Sequence, residues 1–174
     1  MLESFSTKDF KQIYKIMEDS FPLCEFRTEL GQLSLFENEN YRVLGVRESE
    51  RIIAIAAIWD LDGYIFIEHL ATASDKRNGG LGARMLNEII SSSNKRVILE
   101  VEPPVDELTK RRVGFYERNS MHINPYPYIQ PSLSEGRDPV PLCIMTSHSG
   151  VGEDEYQRIK HLLYKYVYKV EQPI

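Results

Sequence analysis

Two cysteines, Cys24 and Cys143, are the only thiols in this 174-residue chain, and they lie far apart among apolar neighbours. That excludes a disulfide-stapled scaffold and a cysteine-built metal site, and it fits packed, buried thiols in a reducing compartment. Long apolar runs are missing as well. No stretch approaches the roughly 20 residues of a bilayer span, so no membrane partner is expected. The opening MLESFSTKDF carries acids and no apolar core, unlike a secretory signal, and the cytoplasm is the expected location. No charge excess dominates either. The net charge of -5 gives no global attraction to nucleic acid, and the one basic run, Lys110 to Arg112, reads as a solvated helix face. The four histidines are scattered and suggest no metal.

What is present is an ordinary globular mixture, 42% hydrophobic and 27% charged, long enough for one domain over 1–174 with a sizeable core. STKDFKQIYKIMEDSF predicts a helix capped at Thr7, with Phe10, Ile13, Ile16 and Met17 at helical spacing. After the break at Pro22, LCEFRTELGQLSLFENE predicts a second helix with Phe26, Leu30, Leu33 and Phe36 on its stripe. The period then changes. YRVLGVRES and RIIAIAAIWD pair across a Glu-Ser-Glu turn, and Asp62-Gly63 turns the chain into YIFIEHLAT. LGARMLNEIISSS is an amphipathic helix, KRVILEVEPP a buried strand, and VDELTKRRVGFYERN a further helix. MHINPYPYIQPSLSEGRDPVP reads as a strand start and a long loop, VPLCIMTS as a final strand, and 153–170 as a closing helix packed as an extension. A helix between the third and fourth strands allows a parallel crossover, so the sheet is mixed, with helices on both faces.

The stretch RNGGLGARML, from Arg77 to Leu86, joins a strand to a helix. Gly79, Gly80 and Gly82 let a ligand approach the backbone, and the amides of Asn78 to Ala83 can converge on an anion at the helix start. Arg77 adds a positive charge. No Gly-Lys-Ser/Thr follows, so this is not a P-loop, and the strand enters from a hairpin, so it is not a dinucleotide fingerprint. The plainer reading is a tight turn that packs the helix closely on the sheet.

With Arg77, Gly80 and Gly82 standing as Arg-x-x-Gly-x-Gly, and with GFYERNSM after the next strand, the chain resembles the GNAT superfamily of acyl-CoA-dependent N-acetyltransferases. The two signatures and the strand between them cover residues 64 to 121. EPPVDE stands where the family often has an Asn, and Asn119, Ser120 and Met121 depart from its usual glycine turn. The resemblance implies a splayed central sheet and acetyl-CoA as co-substrate. Its pyrophosphate would lie on the Arg77 to Ala83 loop, and its pantetheine arm would pair with the backbone of Leu70, Ala71 and Thr72. An amide near Leu70 or Ala71 would polarise the thioester carbonyl. The implied activity is acetyl transfer to a primary amine of a small molecule or a protein, by a monomer or homodimer. The alternative is a non-catalytic acyl-CoA-binding module on the same fold.

Transfer to an amine needs a neutral nucleophile and a stabilised thiolate leaving group. The resemblance places Tyr116 near the sulfur as the acid, and core packing is its plainer reading. Glu68 is the candidate base: strand alternation sets it beside Leu70 and Thr72, opposite Ile67 and His69, where partial burial raises its pKa. A salt-bridged strand residue is the alternative. Glu100 or Glu102 lines the acceptor groove, and His69 reads as a neutral packed histidine. Acceptor choice falls to the SFPLCEFRTE turn, whose acids suit a cationic amine, and to the loop from Pro125 to Pro141.

Overall fold

Asp62 and Gly63 make the turn that their chemistry demands, Gly63 taking a φ of +81° that side chains oppose. In the computed structural model of the chain, which describes residues 2–170, this turn joins β3 (Arg51–Leu61) to β4 (Tyr64–Thr72). Strand β2 (Tyr41–Glu48) precedes them, so the antiparallel meander stands as the alternation predicts. A short β1 (Glu3–Phe5), which the acidic opening does not announce, pairs with β2. Helix α3 (Leu81–Ser91) crosses over to set β5 (Arg96–Val101) parallel to β4. Beyond α4 (Glu107–Glu117) come β6 (Met121–Ile123), β7 (Tyr128–Gln130) and β8 (Val140–Ser147). The sheet runs β1-β2-β3-β4-β5-β8-β6, with β7 pairing to β8 beside this path.

Helices cover both faces. Helix α1 (Phe10–Glu18) and the C-terminal α5 (Glu153–Leu162) send Ile13, Met17, Tyr156 and Ile159 into one core with Trp59 and Phe66. On the other face Met85, Leu86 and Ile89 of α3 and Val113 of α4 pack on Ile65, Ile67 and Leu99.

Local chemistry corrects several expected boundaries. Ser6, not Thr7, caps the first helical turn, its amide bonded to Asp9 Oδ2 at 2.9 Å. The predicted second helix is three short pieces, because Thr28 Oγ1 accepts from the Gly31 amide at 3.3 Å and starts α2 (Glu29–Ser34) afresh. Phe26 is therefore buried while Leu30 is 80% exposed, and the two do not share a stripe. The proline-rich loop contains β7, which only its pairing with β8 defines. The closing helix widens after Leu162 into a π-turn, Leu163–Tyr168. Cys24 and Cys143 are free and half-buried rather than fully packed.

Two irregularities matter most. Parallel pairing of β4 with β5 ends at Ile67–Leu99, so residues 68–72 keep β3 on one side and, among the described residues, have no strand on the other. Opposite Ala57 and Ile58, β4 carries one extra residue: His69 faces Ala57 and Ile67 faces Ile58, with Glu68 bulged between them. The bulge overturns the expected alternation. Glu68 stays on the face of Phe66, His69 joins it there against Phe21, and Leu70 follows Ile67 to the other face.

Candidate active site

Where β4 and β5 part, a cleft passes through the sheet and brings groups from both faces together. It is lined from one side by Phe21, Glu25, Glu68, His69 and Glu100, and from the other by Leu70 and Tyr116. Glu68 is partly exposed as a residue although its side chain is only 4% exposed, so what it shows is mostly backbone on the open edge.

The glycine junction meets the same opening. Gly80 caps α3 with φ 73° and no side-chain hydrogen bond, and Asn78 is also left-handed at φ 66°. Among the described residues, the amides of 78–83 make no hydrogen bond to protein. A Cβ on Gly82 would meet nothing nearer than Phe115 and Thr72, each at 3.7 Å, and one on Gly79 would lie 3.6 Å from the Lys76 carbonyl. Those are ordinary contacts, so close packing of helix on sheet does not require either glycine. Bare donors and spare room suit a diphosphate at the helix start, and the unpaired edge of Leu70, Ala71 and Thr72 suits an extended arm. Arg77 is the exception. Its guanidinium bonds the Thr72 carbonyl at 3.2 Å, the Asp19 carbonyl at 3.2 Å and Ser20 Oγ at 3.3 Å, tying the end of α1 to the junction instead of charging the loop.

The carboxylates divide by environment. Glu68 pairs with Arg27 Nη1 at 2.6 Å and accepts from Trp59 Nε1 at 3.0 Å. Burial is the largest single influence and works against its charge, but Arg27, the neighbouring His69 and the Trp59 hydrogen bond together outweigh it and hold the carboxyl below its ordinary value. The expected raised pKa is thus reversed. Arg27, invisible to pattern reading, bridges onward to the Val167 carbonyl at 3.1 Å.

Glu100 has the opposite balance. Burial pushes its carboxyl up to about 7, against the lowering effect of hydroxyls from Tyr128 and Tyr168. Its companion Glu102 is held by Arg112 instead. Glu25, half-buried at the mouth, is also raised, chiefly by burial. His69 Nε2 lies 2.8 Å from the Glu25 carbonyl, so that nitrogen carries the proton, and burial keeps the ring neutral. Tyr116 is pushed up to about 12 by burial, and its hydroxyl has no hydrogen-bond partner among the described residues. It stays protonated and available.

A carboxylate inside the apolar run VILEV was the sequence signal for Glu100; nothing local announced Tyr128 or Tyr168. Among the described residues, no helix is long and apolar enough to cross a membrane.

Comparison with known proteins adds three findings. The model of the Acetyltransferase (GNAT) family matches residues 10–120. YjbC of Bacillus subtilis (strain 168), provisionally named an acetyltransferase, is 30% identical over 125 residues, 70% of this chain. The chain spans 62% of that protein's length. A Bacteroides thetaiotaomicron structure of the GNAT family, likewise provisionally named, aligns at TM-score 0.87 and 30% identity, over 98% of this chain and 99% of that one. The ribosomal-protein-S18-alanine N-acetyltransferase of Escherichia coli shares the fold at TM-score 0.60 and 20% identity, over 88% of this chain and 97% of that one.

Proposed function

The chain belongs to the GNAT acetyltransferase family, and on that premise we propose that it transfers an acetyl group from acetyl-CoA to a primary amine in the cytoplasm. One observation supports the reading: the sheet opens at Ile67–Leu99, so the Glu100 carboxyl and the Tyr116 phenol face a single cleft from opposite faces. Acetyl-CoA supplies an activated acyl group. The amides of 78–83 and the room left at Gly79, Gly80 and Gly82 receive its diphosphate, and the open edge of Leu70, Ala71 and Thr72 aligns its arm. Arg77 contributes indirectly, by fixing the loop against α1.

The incoming amine must lose a proton before it has a lone pair to offer. Glu100 is the base: it is the cleft carboxylate whose pKa lies near neutral, and it takes that proton on its carboxylate. Glu68, locked to Arg27, acts as a fixed anion that orients the amine and disfavours an acceptor with its own carboxylate beside the nitrogen. Tyr116 donates from its hydroxyl toward the leaving sulfur. Glu25 at the mouth gives the acceptor entrance its negative character and suits a cationic amine.

The test is a panel of amines with acetyl-CoA, reading released thiol against a no-acceptor control. Thiol release with at least one amine is expected, with kcat falling roughly 10²–10⁴-fold in Glu100→Gln and in Tyr116→Phe while coenzyme A affinity holds. Tight coenzyme A binding with no acceptor-dependent release would favour a binding module on the same fold.

A further inference from the structure

We propose that Tyr168 and Tyr128 are positioning residues for this reaction: their hydroxyls hold the Glu100 carboxylate on the cleft and leave Oε2 as its freer oxygen. The π-turn at the C-terminal end thereby becomes a working part of the site. The proposal rests on the reading of Glu100 as the base.

The geometry is specific. Tyr168 Oη lies 2.6 Å from Glu100 Oε2 and 2.8 Å from Oε1, so its single proton is shared across the carboxylate and fixes the rotation of that group. Tyr128 donates to Oε1 as well. Oε1 therefore faces two hydroxyls and Oε2 one, which leaves Oε2 lone-pair capacity for the proton of an incoming amine. Both phenols are held well above their ordinary pKa, first by burial and then by the Glu100 charge, so they remain donors.

The π-turn is what delivers Tyr168. Widened to five-residue spacing over Leu163–Tyr168, it ends at Lys169 with φ 56°, where the Val170 amide closes on the Tyr164 carbonyl at 2.9 Å. π-Bulges of this kind recur at functional sites. The same turn offers the Val167 carbonyl to Arg27, the partner of Glu68. It also sends the Tyr164 hydroxyl to the Ile129 carbonyl at 2.6 Å, pinning the turn to β7 beside Tyr128. One turn thus braces Glu68, through Arg27, and Glu100, two of the cleft carboxylates.

The ionisable groups around Glu100 are Tyr128 from β7, Tyr168 and Tyr164 from the π-turn, Tyr156 from α5, and Glu68, paired to Arg27, from β4. Glu25, His69 and Tyr116 face the same cleft from the turn after α1, from β4 and from α4. Glu68 and Glu25 oppose ionisation of Glu100, and the two hydroxyls favour it. Removing either hydroxyl must move its titration upward.

The full chain, carrying carboxyl-labelled glutamate, is titrated by NMR, with the Glu100 resonance identified by its loss in Glu100→Gln. The parent midpoint is expected at about 7. Tyr168→Phe and Tyr128→Phe should each raise it by about one pH unit. With acetyl-CoA and the amine of highest turnover from the panel, the rate of Tyr168→Phe near neutral pH falls about fivefold, with the KM for acetyl-CoA unchanged. Parent-like midpoints in both phenylalanine variants, each shown folded by thermal unfolding, overturn the proposal and leave the base assignment standing. A parent-like pH–rate profile in Glu100→Gln overturns the base assignment, and the positioning role with it, even where the midpoints move.

Discussion

Two glutamates on neighbouring strands, about equally withdrawn from water, end with opposite proton affinities because their nearest partners differ. Glu68 meets a guanidinium and Glu100 meets phenols. A hydroxyl shares its proton with a carboxylate, but a guanidinium adds a full positive charge; with the other groups around Glu68 that charge outweighs burial, whereas two hydroxyls at Glu100 do not. The stability consequence for Glu100 has a definite sign. Its folded pKa is raised from 4.5 to about 7, so the native state holds a proton that the unfolded chain releases. Its contribution is fully present below the ordinary value and is lost as pH rises through about 7. Glu100→Gln, which cannot ionise, should therefore be the more stable protein near about pH 8, by at most about 3 kcal/mol. The gap should close toward the ordinary carboxylate pKa. Urea unfolding across that range measures it, and a gap independent of pH would show that Glu100 titrates normally.

At the scale of elements, the glycine junction and the bulged strand are opposite cases of legibility. The strand-to-helix break at Arg77 to Ala83 was readable, since glycine spacing and helix onset are local properties. The missing Cβ of Gly82 leaves a gap toward Thr72 and Phe115 that the protein does not fill. Gly82→Val should weaken coenzyme A binding at least about tenfold while shifting the melting temperature of the free protein by only a few degrees, because valine suits a helix better than glycine. Calorimetric titration beside thermal unfolding separates the two, and unchanged affinity would remove the loop from the binding site. The β4 bulge was not readable. Period-two alternation assumes unbroken pairing, and the extra residue at Glu68 arises from the register against β3.

For the whole molecule, the Arg27–Glu68 pair joins the turn after α1, the centre of the sheet and the C-terminal π-turn. Side chains only 9% and 4% exposed put this ion pair well out of water. Glu68→Gln leaves Arg27 buried without its counter-charge and should cost about 3–5 kcal/mol. Because the Glu68 pKa is depressed, its contribution is present above the ordinary carboxylate value and is lost as pH falls through the folded one, so the parent should lose stability steeply in acid. Replacing both partners together, Arg27→Met with Glu68→Met, should recover most of the loss in urea unfolding. No recovery would mean that the pair is not a closed unit.

The sequence by itself determined the β2–β3–β4 meander, the Asp62-Gly63 hairpin, the parallel crossover and the glycine-rich start of α3, because each follows from side chains a few residues apart. Tertiary structure decided which carboxylate keeps its proton near neutrality, where Arg77 points and that a C-terminal tyrosine reaches Glu100. Those outcomes depend on charges and hydroxyls brought together from positions as distant as Glu100 and Tyr168, whose meeting no local pattern encodes.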